Sequence, residues 1–278
     1  MDKSIQITRA GQFHAMHDRR HVLLLPNAWD AGSARAFADL GCAAIATTSG
    51  GVAWSLGYGD GEATPFDEVV AATRRIAHAV AVPVTADIEG GYGDTPDAVG
   101  ASVRAMIAAG VVGINLEDGV GHVALRDLDE ATARVAAARS AARATGVPIV
   151  INARVDVWMT GFGTDEPTRV AEALRRARAY LAAGADCIYP IALADPASIG
   201  TLVAALDAPV NVGARTGLPD LAELARLGVA RVSTATRLAT LAMSAARDAL
   251  RSVLDSGRFD ALDSAFGYAD MQRLFTDS

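Results

Sequence analysis

Carboxylates and amides recur at short, regular intervals in the first half of this chain. Asp87 and Glu89 lie two residues apart in the stretch TADIEGGYGD, and Asn115 and Glu117 repeat that spacing in GINLEDG. Residues two apart on a β-strand share a face, so the members of each pair are predicted to point the same way. Carboxylates held this close repel one another, and some become protonated unless a cation joins them.

The predicted chemistry is therefore that of a divalent metal site. Asp60, in the loop after the second predicted strand, is a further candidate, so the predicted metal residues are Asp87, Glu89, Glu117 and Asp60. Oxygen ligands with no His or Cys among them favour Mg²⁺, with Mn²⁺ as the other candidate, over zinc. The alternative is a structural network in which these acids pair with Arg154 and with helix termini.

Two sequence patterns alternate along the chain, and they predict the strands and helices that must position these residues. In one, a helix ends in Leu or Ala, glycine follows, and a short apolar run comes next, as in LGCAAIATT, AAGVVGINLED, AAGADCIYP and LGVARVSTA. Glycine is the usual left-handed cap of a helix, and such apolar runs are typical of buried strands. In the other, proline stands at a strand entrance, as in AVPVTADIE, GVPIVINAR and DAPVNVGAR.

Helical stretches such as Asp129 to Thr145 and Glu166 to Ala183 lie between these runs, and HVLLLPNAWD adds a first strand. Eight strands alternating with helices predict parallel pairing and an α/β fold of the (β/α)8 TIM barrel type. An open doubly wound sheet is the alternative; the regular units and the lack of a G-x-G-x-x-G stretch count against it. Residues 1–278 are interpreted as one barrel domain, with residues 236–278 as a carboxyl-terminal helical extension.

The extension has two parts. Thr236 to Leu254 is long and helical, and Phe259 to Phe275 has aromatic and aliphatic residues spaced for one helical face. Because a closed barrel needs no such tail, it is predicted to pack across a neighbouring subunit; packing on its own barrel is the alternative. The first interpretation predicts a homo-oligomer, either a dimer or a tetramer.

Composition restricts the class of partner. The net charge of −7 and the scattered Lys and Arg argue against nucleic acid, because phosphate binding needs a basic surface. No stretch approaches the ~20 apolar residues of a membrane span, and the amino terminus lacks the apolar core of a signal peptide. We therefore expect a cytoplasmic protein with a small-molecule ligand and no membrane partner. Cys42 and Cys187 have no metal-type spacing and are interpreted as buried thiols.

In such barrels the chemistry lies at the carboxyl ends of the strands. Arg154 ends the fifth predicted strand and suits a substrate carboxylate, because the planar guanidinium can donate two parallel hydrogen bonds to the two carboxylate oxygens. An ion pair with Glu117 or Asp156 is its competing role. The turn after the second predicted strand exposes backbone N–H groups, which suit a second anionic group of the substrate. The carboxyl end of the barrel, or barrel mouth, therefore receives residues from this turn and from the seventh strand: Ser49, Gly50, Gly51 and Asn211.

Four ordered motifs give the chain a resemblance to a known family. LLLPNAWDAGSARAFADLGCAAIATTSGGVAWSLGYGDGE, TADIEGGYGD, GINLEDG and INARVD resemble the isocitrate lyase/phosphoenolpyruvate mutase superfamily, from about Phe13 to beyond Arg237. The resemblance implies a Mg²⁺-dependent (β/α)8 barrel that binds α-oxo acids and makes or breaks C–C or C–P bonds beside them. It also implies tetramers in which carboxyl-terminal helices swap between subunits.

Carried over by position, the resemblance implies a role for each candidate residue. Asp87 would touch the metal directly, and the residues that hold its waters would be Asp60, Glu89 and Glu117. The carboxylate of the oxo acid would bind Arg154 together with the turn formed by Ser49, Gly50 and Gly51.

The loops after strands four and six depart from the best-known members of the superfamily. The first reads EDGVGHVALR, without the Lys and Cys of the K-[KR]-C-G-H motif of isocitrate and methylisocitrate lyases, and without the Lys and Asn of phosphonate mutases. The second has Tyr189-Pro190-Ile191 where those enzymes place Glu or His. Histidine titrates near neutral pH, so His122 in the first loop is either a general acid or base or an exposed residue without a role.

The leading hypothesis is a Mg²⁺-dependent lyase that cleaves a C–C bond in a small 2-hydroxy or 2-oxo di- or tricarboxylic acid through a metal-stabilised enolate. A methylisocitrate lyase and an oxaloacetate decarboxylase or hydrolase are its models. The candidate catalytic residues are Asp60, Arg154 and His122, and the candidate substrate-binding residues are Ser49, Gly50, Gly51, Asp87, Arg154 and Asn211. The alternatives are C–P chemistry, as a phosphonopyruvate or phosphoenolpyruvate mutase or hydrolase, and a non-catalytic oxo-acid binder.

Overall fold

Parallel strands close on themselves in the computed structural model, which describes residues 1–276. The first barrel strand is divided by Pro26 into β1 and β2, and a small hairpin, β6–β7, follows the fourth. The strands are β1 Leu23–Leu25, β2 Asn27–Ala28, β3 Ile45–Thr47, β4 Val84–Asp87, β5 Gly113–Glu117, β6 Gly119–Val120, β7 Ala124–Leu125, β8 Val150–Val155, β9 Cys187–Pro190, β10 Asn211–Gly213 and β11 Arg231–Ser233.

Strand pairing follows chain order around the whole barrel. One run of parallel neighbours is β2-β3-β4-β5-β8-β9, the other is β1-β11-β10, and a bridge between Ile188 and Val210 joins β9 to β10. Because β1 pairs with β11 while β2 pairs with β3, the divided first strand closes the ring. The predicted (β/α)8 barrel is confirmed, and closure rules out the open sheet.

Helices surround the barrel and follow its strands. They are α1 Lys3–Ala15, α2 Ala31–Asp39, α3 Ser49–Leu56, α4 Phe66–Ala79, α5 Pro96–Ala109, α6 Leu128–Thr145, α7 Glu166–Ala183, α8 Pro196–Ala205, α9 Leu221–Arg226, α10 Arg237–Ser256 and α11 Tyr268–Thr276. Across residues 1–276, none of these helices combines the length and the hydropathy needed to cross a bilayer.

The glycines that the sequence patterns placed after helices do lie at helix ends. Gly110 and Gly184 end α5 and α7 in the left-handed conformation, with φ of 105° and 110°, and the apolar strand follows each. This conformation is the one that lacks a steric penalty only for glycine. The predicted helix from Glu166 to Ala183 matches α7, and the one beginning at Asp129 starts one residue earlier, at Leu128.

The two faces of the strands have different environments. Ile114 and Ile151 are inaccessible and belong to the core between barrel and helices. Their neighbours Asn115 and Asn152 point the opposite way, because adjacent residues of a strand alternate between faces. Asn152 donates from Nδ2 to Oδ1 of Asn115 at 2.8 Å, so the barrel interior contains a polar layer beneath the mouth.

The carboxyl-terminal extension behaves differently in its two parts. α11 packs on α2 of its own chain, where Leu274 is buried and Arg273 pairs with Asp39 at 3.2 Å. The predicted helical face over Phe259 to Phe275 was wrong in its first half, because only a 3₁₀ turn forms before Gly267. α10 is exposed along almost its whole length, with Ala239 its only buried residue. Packing of α10 on a neighbouring subunit stays a prediction.

Candidate active site at the barrel mouth

A cavity of about 140 Å³ opens at the carboxyl ends of the barrel strands. Five residues singled out from the sequence line it together: Ser49, Asp60, Asp87, His122 and Arg154. The strand ends and loops therefore bring these residues together across more than a hundred positions of sequence, as expected for a barrel of this type.

The turn after β3 is the amino terminus of helix α3. Thr48 is its N-cap but makes no side-chain cap hydrogen bond, and the first helical N–H to bond within the helix is that of Val52, to the Thr48 carbonyl. The preceding N–H groups of this turn belong to Ser49, Gly50 and Gly51. Free N–H groups and the helix dipole make such a terminus an anion site. A Cβ on Gly50 would lie 3.1 Å from Oδ2 of Asp60, so glycine allows that carboxylate to approach.

Asp87 ends β4 and lies deep in the mouth. Its N–H donates to Oγ1 of Thr47 at 2.9 Å, and its Oδ1 accepts from the Glu89 N–H at 3.3 Å. Burial raises the pKa of Asp87; the guanidinium of Arg154 opposes that shift, and the like charge of Asp60 adds to it. The surrounding protein groups therefore do not fully offset the cost of keeping the Asp87 carboxylate ionised.

Glu89 does not share a strand face with Asp87 in the way that was predicted. β4 ends at Asp87, and Glu89 has a φ of 50°, in the left-handed region, so the pleat stops before it. Its Oε1 accepts from the Tyr92 hydroxyl at 2.6 Å and its Oε2 from the Glu62 N–H at 2.7 Å. Burial, with the charges of Asp87 and Asp60, raises the pKa of Glu89 to about 7. Glu89 adjoins the cavity without lining it.

Arg154 is anchored from two sides. Its Nε and Nη2 donate to the two carboxylate oxygens of Asp156 at 2.8 and 2.6 Å, and its Nη1 forms an ion pair with Oε2 of Glu117. Burial disfavours the charged guanidinium, yet these two carboxylates raise the pKa of Arg154 above its ordinary value. Asp156 thus occupies the Nε–Nη2 edge and Glu117 engages Nη1, while Arg154 still lines the cavity.

His122 lies above Glu117. It belongs to the turn of the β6–β7 hairpin, has a φ of 60°, and places Nε2 3.8 Å from Oε1 of Glu117. Burial raises the pKa of Glu117, which Arg154 opposes and the neighbouring acids reinforce. Glu117 therefore connects the arginine and the imidazole without itself facing the cavity.

Asn211 lies below the mouth, not on its wall. It is fully buried in the polar layer, where its Oδ1 accepts from the Ser233 hydroxyl at 3.1 Å. Tyr189, to which the sequence patterns assigned no role, lines the cavity, and burial raises its pKa to about 12. Met159 and Ile191 form an apolar part of the cavity wall, to which the sequence patterns also assigned no role. Their position shortly after strand ends was the only sequence signal that they could lie at the cavity.

The side chains present fit a hydrated divalent cation, not a cage of protein ligands. Within residues 1–276, no cluster of three or more His, Cys, Asp or Glu side chains is arranged to hold an ion directly. Asp60, which is exposed, and Asp87, which is half-buried, do share the cavity wall, and their mutual repulsion is the condition that a cation relieves. Mg²⁺ is commonly held by one or two carboxylates with waters completing its shell. The water-holding roles of Glu89 and Glu117 stay predictions.

This chain is similar to one family model and to known proteins that include lyases and mutases. The family described as phosphoenolpyruvate phosphomutase matches residues 13–254. The structure of a proposed phosphonomutase from Burkholderia cenocepacia J2315 is 43% identical, covers 87% of this chain and 99% of that one, and has a TM-score of 0.84. The 2-methylisocitrate lyase of Escherichia coli K12 is 30% identical over 207 residues, which are 71% of this chain and 67% of that protein.

A further likeness concerns the fold alone. The structure of an oxaloacetate acetylhydrolase in complex with the product oxalate has a TM-score of 0.86 at 23% identity, and the match covers 96% of this chain and 94% of that one.

Proposed function

This chain belongs to the isocitrate lyase/phosphoenolpyruvate mutase superfamily of lyases and mutases, and from that premise we propose that it is a divalent-metal-dependent lyase acting on a small 2-oxo or 2-hydroxy acid. The bond broken is the C–C bond beside the oxo or hydroxyl carbon. The observation that carries the proposal is the convergence of Asp87, Arg154 and the free amino terminus of α3 on one cavity.

Cavity size and wall chemistry favour a short substrate. At about 140 Å³ the cavity is well below the ~300–1,000 Å³ of sites for drug-sized ligands. Met159 and Ile191 offer no partner for a third carboxylate on their side of the wall. A four-carbon acid such as oxaloacetate therefore fits the proposal better than a tricarboxylate.

The protein groups divide the work of binding. The N–H groups at the start of α3 and the guanidinium of Arg154 hold the carboxylate of the oxo acid and so orient the reacting bond. Because Asp156 and Glu117 fix the guanidinium from two other directions, Arg154 is rigid before the substrate arrives. Asp87, with Asp60 beside it, would hold a divalent cation, and that ion would supply Lewis-acid stabilisation of the charge that develops in the reaction.

His122 is proposed to move the proton. Cleavage of a 2-hydroxy acid releases the hydroxyl proton, and cleavage of a 2-oxo acid requires a proton at the new carbanion carbon. The imidazole lines the cavity, and its Nε2 lies 3.8 Å from Oε1 of Glu117, so it is placed to exchange a proton with a bound acid.

The test is turnover with Mg²⁺ and three acids: oxaloacetate, 2-methylisocitrate and phosphonopyruvate. The proposal expects C–C cleavage products by ¹H NMR, strongest for oxaloacetate, that disappear in Asp87→Asn. Asp207→Asn is the matched control, since Asp207 is exposed on the turn before β10, at the opposite end of the barrel.

A second candidate function is C–P chemistry, and the specific observation in its favour is the match to the phosphoenolpyruvate phosphomutase family. Rapid turnover of phosphonopyruvate alone would replace the lyase proposal by this one. Tight binding of oxalate without turnover of any of the three acids would instead indicate a non-catalytic oxo-acid binder.

A further inference from the structure

Arg231 is a buried arginine in the interior of the barrel. It begins β11, has no accessible surface, and lies in the polar layer beneath the cavity floor. Among residues 1–276, no carboxylate lies within ion-pair distance of its guanidinium, whereas the other buried arginines, Arg134, Arg154 and Arg176, each have one.

A buried charge without a counter-ion is costly, and arginine cannot escape that cost by losing its proton. Replacing a buried ion by an apolar side chain of similar volume is often neutral or stabilising. Stability alone therefore does not explain an arginine at this position.

The hydrogen bonds of Arg231 run upward to the cavity floor. Its Nη2 donates to Oδ1 of Asn115 at 3.3 Å, and its Nε donates to the hydroxyl oxygen of Ser233 at 3.1 Å. Asn115 and Ser233 both line the cavity. Arg231 thus contacts the site through two residues without reaching it.

A guanidinium can only donate, so it dictates the direction of the next hydrogen bonds. Oδ1 of Asn115 accepts from both Arg231 and Asn152, which turns the amide so that Nδ2 is the atom left for the cavity side. The Ser233 hydroxyl, which accepts from Arg231, must send its own proton elsewhere, and it donates to Oδ1 of Asn211 at 3.1 Å.

We propose that Arg231 is a positioning residue for anion binding: it locks the Asn115 amide with its N–H₂ group toward the cavity, where that group donates to an oxygen of the bound oxo acid. Without the arginine, the amide is free to turn its carbonyl to the cavity and repel the same oxygen. This inference rests on the proposed function, because it takes an oxo-acid anion as the ligand.

The test measures oxalate binding by calorimetry in the presence of Mg²⁺, with wild type, Arg231→Met, Asn115→Ala and the double variant. Each single variant is expected to weaken binding by about tenfold, the size of a charge-assisted hydrogen bond lost. The double variant is expected to be no weaker than Asn115→Ala alone, because Arg231 acts through Asn115. Arg178→Met, at an exposed site on α7, is the matched control and should bind like wild type.

Thermal unfolding separates this role from a structural one. Arg231→Met is expected to unfold at the wild-type temperature or above while binding oxalate more weakly. Wild-type affinity in a folded Arg231→Met, or losses in the double variant that simply multiply, would overturn the positioning role and leave the proposed function standing. Should Arg231→Met not fold, Arg231→Lys takes its place in the same cycle, with coupling to Asn115→Ala still required. A wild-type protein that neither binds oxalate nor turns over the three acids overturns both proposals.

Discussion

Arg154 and Glu117 lie directly opposite each other on the neighbouring parallel strands β8 and β5, and their side chains form an ion pair at the barrel mouth. Asp156, just past the end of β8, binds the Nε–Nη2 side of the same guanidinium. The two carboxylates therefore fix the orientation of Arg154 at the cavity wall.

Arg154→Lys should be far less active than wild type. An ammonium keeps the charge but cannot reach Asp156, Glu117 and a substrate carboxylate with one planar group. We expect kcat/KM to fall by about 100-fold or more, and the free energy of unfolding to fall by about 3 kcal/mol because two buried carboxylates lose their partner. Steady-state kinetics and urea unfolding check these effects. Wild-type kinetics would show that Arg154 only supports the fold.

Asp87→Asn tests the candidate metal residue that ends β4 and lies on the cavity wall. The amide removes a charge whose ionised form burial disfavours, so the melting temperature without metal should not fall. Activity should drop by about 100-fold or more, because the negative ligand for the cation is lost. Mg²⁺ should raise the melting temperature of wild type but not of the variant. An equal Mg²⁺ effect in both would remove Asp87 from the site.

Glu89 predicts a pH dependence of stability in metal-free protein. Its pKa is raised from 4.5 to about 7, so the native state binds this proton more tightly than the unfolded chain. Its contribution is therefore largest below pH 4.5 and is lost as pH rises through about 7. Relative to Glu89→Gln, wild type should lose up to about 3 kcal/mol between these limits in EDTA. Parallel pH curves for the two proteins would contradict the assignment.

His122→Gln tests the proton-transfer role. Glutamine retains polarity but cannot act as a general acid or base, so kcat should fall by about 100-fold. KM should change little, because the proposal assigns carboxylate binding to Arg154 and α3. An unchanged kcat would show that His122 has no role in the reaction. Far-UV circular dichroism should be the same for both proteins.

Leu254→Glu tests the exposed face of α10. Leu250 and Leu254, one turn apart, are 55% and 76% exposed, which is unusual for a pair of leucines on one helix. We expect wild type to form a dimer or tetramer by light scattering and the variant to dissociate. Ser252→Glu, about 200° away around the helix, should not dissociate it. A monomeric wild type would show that α10 does not mediate assembly.

The alternation of strand and helix could be predicted because it depends on residues that are close together in the sequence. Gly110 and Gly184 need a conformation that suits glycine, and proline before β4, β8 and β10 marks strand entrances where no N–H is required. Local signals also located the strand ends, and with them Asp87 and Arg154. The fold and the position of the site follow from these patterns.

Other features depended on contacts between distant segments. The left-handed turn at Glu89 broke the face-sharing expected of Asp87 and Glu89, since backbone alternation applies only while a strand continues. The second part of the extension, Phe259 to Phe275, folded into a 3₁₀ turn and a short helix that packs on α2, not into one helical face.

The sequence by itself determined the barrel, its family and the set of acids and the arginine at its mouth, because periodicity and turn residues act over a few positions. Only the tertiary structure decided which oxygens of those acids are already bonded, which carboxylates hold Arg154, and that the guanidinium of Arg231 donates to Asn115. Hydrogen-bond direction depends on partners brought together from strands far apart in the chain, and no local pattern encodes that.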